Sequence, residues 1–384
     1  MLLSFIAINN SRYLPYTEEV ANALVDHIRD EGEKNDGHVD VRRVAGRWAL
    51  ESAAFTVFEK RIGALTDRIE WADKLIELNR EIFRLSAELK FAIPLYRYFS
   101  TPKWIKLITL EDKFYKFVVL YCFSIQIPLR SECVHDQNEF ISSEANLLID
   151  EAIDKLSGST QSEHEMKFAS LLINRKDMNI NDVKIILLSM FSDGLSTTAP
   201  MLIYNLYNIA SNPEAQEELR NEINDKFKTL KEIDSTVLDQ LTYLRACIKE
   251  TFRLFPIGTE ISRITQKDLV LSGYRIPSGT AIDINTNVLM KTTLFFKEPH
   301  RFNPNRWLRS SDERDEIHPF AFLPFGFGPR MCAGRRFAEQ DLMVALCHLV
   351  KNFHITYRHK PIVQTYETLL LPKGCCLFHF EALK

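Results

Sequence analysis

Residues 181–210 are the longest helical, apolar stretch of this 384-residue chain, and they constrain its architecture more than any other segment. About 30 residues of α-helix would run roughly 45 Å. The stretch is apolar on nearly all sides, so it has no face to turn toward water and must cross a core built by its neighbours. Asn181 is its expected N-cap, with Asp182 in the first turn. Ser211-Asn212-Pro213 ends it, and Pro213 with Glu214, Glu217 and Glu218 opens the next helix. A chain organised around such a rod is mostly α.

The remaining periodicity agrees. Amphipathic helices are expected over 16–30, 40–64, 70–90, 103–116, 143–157 and 235–255, the last stopped by Pro256. In the second, Val41, Val44, Trp48, Ala49 and Phe55 recur at helical intervals. A final helix spans 334–352, with Ala338, Leu342, Ala345, Leu349 and Phe353 inward. Pro94 and Pro102 mark a loop over 91–103. Residues 117–140 read as a short apolar run and a polar loop, an insertion between two helical stretches. Leu269, Leu271, Tyr274 and Ile276 alternate around Ser272-Gly273, which signals a hairpin, and 354–380 reads as strands and turns. The expectation is one domain over 1–384, mostly α with small β-sheets.

Hydrophobic content of 46% and 13 glycines suit a globular chain. A net charge of −3 and a pI near 6.4 argue against a general nucleic-acid binder. Seven scattered cysteines imply neither a disulfide framework nor a zinc site, and a reducing compartment is the simplest reading. The opening MLLSFIAI is apolar but too short to span a bilayer, and no signal or Arg-rich targeting segment is visible.

The chemistry concentrates in Phe325-Gly-Phe-Gly-Pro-Arg-Met-Cys-Ala-Gly334. Cys332 lies just before the last helix, where the positive helix end favours a thiolate, and the glycines let backbone approach a flat ligand. That is what holding haem iron through sulfur requires. A structural cysteine in a glycine-rich turn is the alternative.

The stretch resembles the haem-binding loop of the cytochrome P450 family, the haem-thiolate monooxygenases, whose pattern is Phe-x-x-Gly-x-Arg-x-Cys-x-Gly. Phe325, Gly328, Arg330, Cys332 and Gly334 match it throughout. Glu250-x-x-Arg253 and the Phe302-Asn-Pro-Asn-Arg306-Trp segment follow the family's order. The resemblance implies that Glu250, Arg253 and Arg306 form one buried network locking a helix to the haem loop. It also implies Cys332 as the iron ligand, with Arg330 and Arg263 on the haem propionates. In Ser192-Asp-Gly-Leu-Ser-Thr-Thr198 it aligns Gly194 and Thr197 with the family's oxygen-handling residues. The family's acid position holds Ser196, and Asp193, four residues before Thr197, is a candidate replacement carboxylate. Pro200 should kink the helix beside that site. Ile257–Ser262 and Tyr366–Leu371 would line a pocket for an apolar, steroid-like substrate.

Mitochondrial-type members resemble this chain around Arg245 and Lys249, where two basic residues dock a small acidic, adrenodoxin-like ferredoxin. Arg335 and Arg336 extend the likeness; solvated basic residues on a helix face are the plainer reading. The resemblance covers about 12–380 and implies an N-terminally truncated family domain. It implies peripheral association with the matrix side of the mitochondrial inner membrane, with the endoplasmic reticulum membrane as the alternative. Two other functions stay open: a reductant-independent isomerase or dehydratase of oxygenated lipids, and a non-catalytic remnant holding no haem.

Overall fold

The computed structural model describes residues 10–58, 61–122, 172, 175, 177–227, 235–314 and 316–383. In chain order it contains α1 (Asn10–Lys34), β1 (His38–Asp40), α2 (Val41–Phe58), α3 (Ile69–Phe91) and α4 (Pro102–Cys122). Then come α5 (Ile180–Ser211), α6 (Pro213–Phe227), α7 (Ser235–Gln240) and α8 (Thr242–Leu254). Strands β2 (Ile261–Ile264), β3 (Leu269–Leu271), β4 (Tyr274–Ile276) and β5 (Ala281–Ile284) follow, then α9 (Thr286–Met290). The chain closes with α10 (Arg335–Asn352), β6 (Phe353–Thr356), β7 (Val363–Glu367), β8 (Leu369–Lys373) and β9 (Leu377–Ala382). The fold is mostly α with small antiparallel sheets, as expected.

The long rod is α5. Its N-terminal half, with Leu187, Phe191 and Leu195, joins an apolar cluster with Leu50, Ala54 and Val57 of α2 and Ala72 and Leu75 of α3. Its C-terminal half, Ala199 to Ala210, enters the main core with α1, α8 and α10. Among the described residues it is also the one helix long and apolar enough, by length and composition, to cross a membrane. The cap lies earlier than the sequence suggests. Asn179, with extended backbone, accepts the Asp182 N–H at 2.9 Å, so Ile180 and Asn181 lie inside the helix. Helical structure continues through Pro200.

Two other boundaries differ from the periodicity. The helix expected over 40–64 stops at Phe58, and the backbone N–H groups of Ile62 and Ala64 donate to the buried Glu51 carboxylate at 3.2 and 2.6 Å. The helix expected over 235–255 is broken at Leu241. There Glu222 of α6 accepts from the N–H groups of Tyr243 (2.8 Å) and Leu244 (2.9 Å), capping α8 from a distant element. Of the 117–140 segment, α4 runs on to Cys122; the rest of it, and 143–157, lie outside the described residues.

The sheets are small. β9 lies between β1 and β6, and β2 pairs with β5. The hairpin β3–β4 turns at Ser272-Gly273, whose φ values of 49° and 85° suit a type I′ turn. A second hairpin, β7–β8, turns at Thr368 (φ 66°) and carries its tip to α3, where the Thr368 hydroxyl donates to the Phe83 carbonyl at 3.0 Å.

Candidate functional site

The loop before α10 is built around its glycines. Gly326 and Gly328 take φ of 75° and 77°, which a side chain would strain, and a 3₁₀ turn spans Gly328–Arg330. The Cys332 N–H donates to the Phe325 carbonyl at 2.8 Å, pinching the loop shut. Phe325 anchors it to the core through the Phe252 ring, 4.8 Å between centroids. Gly334 then stands at the N-cap of α10, where a Cβ would come within 4.0 Å of the Cys332 Sγ.

Cys332 is exposed, and its sulfur accepts the backbone N–H groups of Gly334 and Arg335. The position in its recess, short of water, pushes the thiol up. The Asp193 carboxylate pushes it further up, while the two N–H groups and the Arg335 charge pull it down. The net direction is upward. A bound metal ion draws such a proton off and leaves the thiolate.

Asp193 faces Cys332 from the middle of α5. Part of its surface is open, and the surrounding protein raises the carboxyl pKa by desolvation. The Thr197 hydroxyl donates back to the Asp193 carbonyl at 2.7 Å, so the two candidate residues share one turn. Gly194 has a packing role: a methyl group there would approach Ala53 Cβ to 3.3 Å, so glycine lets α5 close on α2. Ser196, at the family's acid position, points elsewhere. Its hydroxyl donates to the Ser192 carbonyl (2.9 Å) and accepts from Nδ2 of Asn79 (3.0 Å), whose Oδ1 accepts from the Ser192 hydroxyl (3.2 Å). Asn79, buried on α3, carried no signal in the sequence.

Glu250, Arg253 and Arg306 come together as expected, at 0%, 0% and 1% exposure. Glu250 Oε1 accepts from Arg253 (2.8 Å), Arg306 (3.1 Å) and the Asn303 N–H (3.0 Å). Its Oε2 accepts from Arg253 (2.9 Å) and from the Trp307 indole (2.9 Å), a member the sequence reading missed although it adjoins Arg306. Arg253 also donates to the carbonyls of Met290 and Arg301, and Arg306 to that of Lys297. The two guanidinium groups share the one carboxylate, and backbone carbonyls take further N–H groups of both.

Arg263 reaches the cysteine loop, donating to the Phe327 carbonyl at 3.3 Å. Arg330 is exposed on the same loop. Neither forms an ion pair with a described carboxylate, so one cation on the cysteine loop and one held against it at Phe327 stand open to an anionic group. No three His, Cys, Asp or Glu side chains gather as a metal cluster among the described residues, and the loop itself offers the single Cys332 sulfur. One thiolate with nearby cations suits an iron already held in a macrocycle that bears carboxylates. On these observations the residues fit haem.

The two segments expected to enter a substrate pocket meet, with the Leu370 N–H donating to the Ile257 carbonyl at 2.9 Å. A recess of about 110 Å³ lies between α3, α5 and β8, with Ile76, Phe83, Leu195, Ile203, Leu369 and Leu371 among its walls. Glu260 is ion-paired to Lys90 at 3.1 Å.

The four candidate docking residues, Arg245, Lys249, Arg335 and Arg336, line one groove of about 1010 Å³ that runs along the cysteine loop. Arg245 reaches Asp239 (3.2 Å), and Arg335 reaches Glu339 (3.0 Å). Lys249 is half-buried over the Trp307 ring. Desolvation first, then repulsion from Arg245, Arg335 and Arg309, lowers its pKa, the mark of a cationic neighbourhood.

A family model described as Cytochrome P450 matches residues 1–377. The chain is 54% identical to "Probable cytochrome P450 CYP44" of Caenorhabditis elegans, over 97% of this chain and 68% of that protein. It is 30% identical to "Probable cytochrome P450 49a1" of Drosophila melanogaster, over 94% of this chain and 59% of that one. With "Cytochrome P450 11B, mitochondrial" of Aquarana catesbeiana the identity is 28%, over 97% and 67%. The chain thus spans between 59% and 68% of the length of these relatives.

Proposed function

This chain belongs to the cytochrome P450 family, and from that premise we propose that it is a haem-thiolate monooxygenase hydroxylating an apolar substrate. The observation that carries the reading is Cys332: its sulfur receives two backbone N–H groups and lies within electrostatic reach of Asp193 on α5, the residue whose carbonyl Thr197 binds. Cys332 would hold the iron, with Arg263 and Arg330 on the propionates. Bound haem supplies the reductive activation of dioxygen.

The chain's own residues do the rest. The Glu250–Arg253–Arg306 network fixes α8 to the segment leading into the loop, so that the sulfur keeps its place. Thr197 presents a hydroxyl one turn from Asp193, whose carboxyl is raised by desolvation, the direction that favours holding a proton. Ile257 and the Leu369–Leu371 strand, joined through the Leu370 N–H and the Ile257 carbonyl at 2.9 Å, supply apolar surface for a steroid-like body.

The cationic groove is the support for an acidic, adrenodoxin-like ferredoxin as electron donor, because complementary charge steers such encounters. Relatives whose names carry "mitochondrial" support that location. Peripheral association with its inner membrane draws on Phe91, Ile93, Tyr98 and Phe99, which expose 72%, 78%, 84% and 58% of their surface between α3 and α4.

The test is the spectrum of the reduced, carbon-monoxide-bound protein. A strongly red-shifted Soret band is expected, lost in Cys332→Ser; a band that survives the substitution would mean another ligand. A second reading, reductant-independent rearrangement of oxygenated lipids, draws on Ser196 being engaged by Asn79. Lipid-peroxide turnover without reduction by ferredoxin would favour it.

A further inference from the structure

The outer face of the three-stranded sheet carries a histidine pair that the site around Cys332 does not use. Side chains alternate across each strand, and Val39, Ile355, Phe378 and Phe380 take the buried face. His38 and Asp40 of β1, His379 and Glu381 of β9, and His354 of β6 therefore share the other. On it His38 lies directly opposite His379. Their ring centroids are 5.1 Å apart, with the ring planes at 69°. Gly37, beside His38, leaves the room for this: a Cβ there would come within 2.6 Å of His379 Nε2.

His38 Nδ1 stands 3.0 Å from the Asp36 carbonyl. A carbonyl oxygen has no proton to give, so Nδ1 carries the hydrogen and Nε2 of the neutral ring keeps its lone pair. A backbone carbonyl holding one imidazole nitrogen is how metal-binding histidines are oriented. Among the described residues no other hydrogen bond ties either ring.

The geometry also selects an ion. With Zn–N of about 2.0–2.1 Å, an imidazole centroid lies roughly 3.2 Å from the bound metal. Two such centroids 5.1 Å apart subtend about 105° at the ion, close to tetrahedral. Tetrahedral geometry with imidazole donors suits zinc(II), whereas magnesium and calcium take oxygen ligands. Asp40 and Glu381 flank the pair on this face, and their charge favours a cation.

We propose that His38 and His379 form a zinc(II) site that ties β1 to β9 across the outer face of the sheet, with water completing the coordination. The site uses no residue of the cysteine loop, so it stands apart from the haem-thiolate reading. An ion that binds the folded sheet and not the unfolded chain should raise the thermal midpoint.

Competition of the full chain against a chromophoric chelator for zinc(II) measures the affinity. Once one imidazole holds the ion the other binds intramolecularly, so losing either should weaken binding about a hundredfold. His38→Gln, His379→Gln and the double variant should therefore lose equal affinity, and zinc should no longer raise their thermal midpoints. His354→Gln, one pair further along the same face, should change affinity by less than about twofold. A cooperative thermal transition without zinc shows that each variant folds. Zinc stoichiometry and affinity unchanged in either single variant, losses that add in the double variant, or an equal loss in His354→Gln overturns the proposal and leaves a ring contact only. Magnesium should neither bind nor shift the midpoint, and a matching magnesium shift would overturn the imidazole assignment.

Discussion

Asp341 and His348 lie two turns apart on α10, each 9% exposed, and the fold moves their pKa values in opposite directions. Burial raises Asp341 from the ordinary 3.8 to about 6, against hydrogen bonds from Ser52 (2.6 Å) and Thr17. Burial, and after it the charge of Lys351, depresses His348 from 6.5 to about 4, with only Glu18 nearby at 3.9 Å. For Asp341 the folded state binds its proton more tightly, so that contribution is present below pH 3.8 and lost as pH rises through about 6. For His348 the folded state binds less, so its contribution is present above 6.5 and lost as pH falls through about 4. Shifts of this size are each worth roughly 3 kcal/mol. Between pH 7 and pH 4 they nearly cancel. Asp341→Asn should therefore be roughly 3 kcal/mol more stable than the unsubstituted chain at pH 7 and close to it at pH 4. His348→Gln should match it at pH 7 and exceed it by roughly 3 kcal/mol at pH 4. Urea unfolding at the two pH values measures both differences. An Asp341→Asn effect equal at pH 4 and pH 7 would refute the reasoning.

Glu250→Gln keeps the volume but leaves two buried guanidinium groups without their carboxylate, a loss of about 3–5 kcal/mol. With about 2.1 cal/mol/K per residue over 384 residues, unfolding entropy is roughly 0.8 kcal/mol/K, so Tm should fall by about 4–6 °C. Breaking the exposed Arg301–Glu298 pair by Glu298→Gln should move Tm by less than about 1 °C, and calorimetry showing equal effects would contradict the burial argument. Lys249→Glu should slow ferredoxin-driven reduction about tenfold at low ionic strength and far less at ~0.5 M salt. A rate defect that does not change with salt would remove the groove as a docking face.

What the sequence made legible was whatever is encoded locally. The apolar rod, the Ser272-Gly273 hairpin and the helix after Cys332 depend on residues within a few positions of one another. The Glu250–Arg253–Arg306 cluster is long-range, and it was legible only because each member lies in its own short pattern. Trp307 was missed for the converse reason: an indole N–H donating to a glutamate 57 positions away leaves no mark beyond its neighbour. The break at Leu241 was equally hidden, since Glu222, on another helix, supplies the cap that ends the periodicity. At the start of α5, Asn179 and Asn181 are both competent caps. Backbone conformation decides between them, and composition does not report it.

The departure at Ser196 takes a physical meaning from Asn79. Position 196 lies on the side of α5 that meets α3, where its hydroxyl is held between Asn79 and the Ser192 carbonyl. A carboxylate there would be buried at 8% exposure with one amide for company, a poor place to exchange protons with water. Asp193 stands within electrostatic reach of Cys332, sharing its carbonyl with Thr197. In the proposed chemistry the carboxyl nearest the reacting centre is thus displaced by three residues from the family's position, almost one helical turn. The serine that remains is recruited to tie α3 to α5. Substituting Asp at 196 would then restore the family pattern without restoring its geometry, because the α3 contact, and not the family's residue type, fixes where that side chain points.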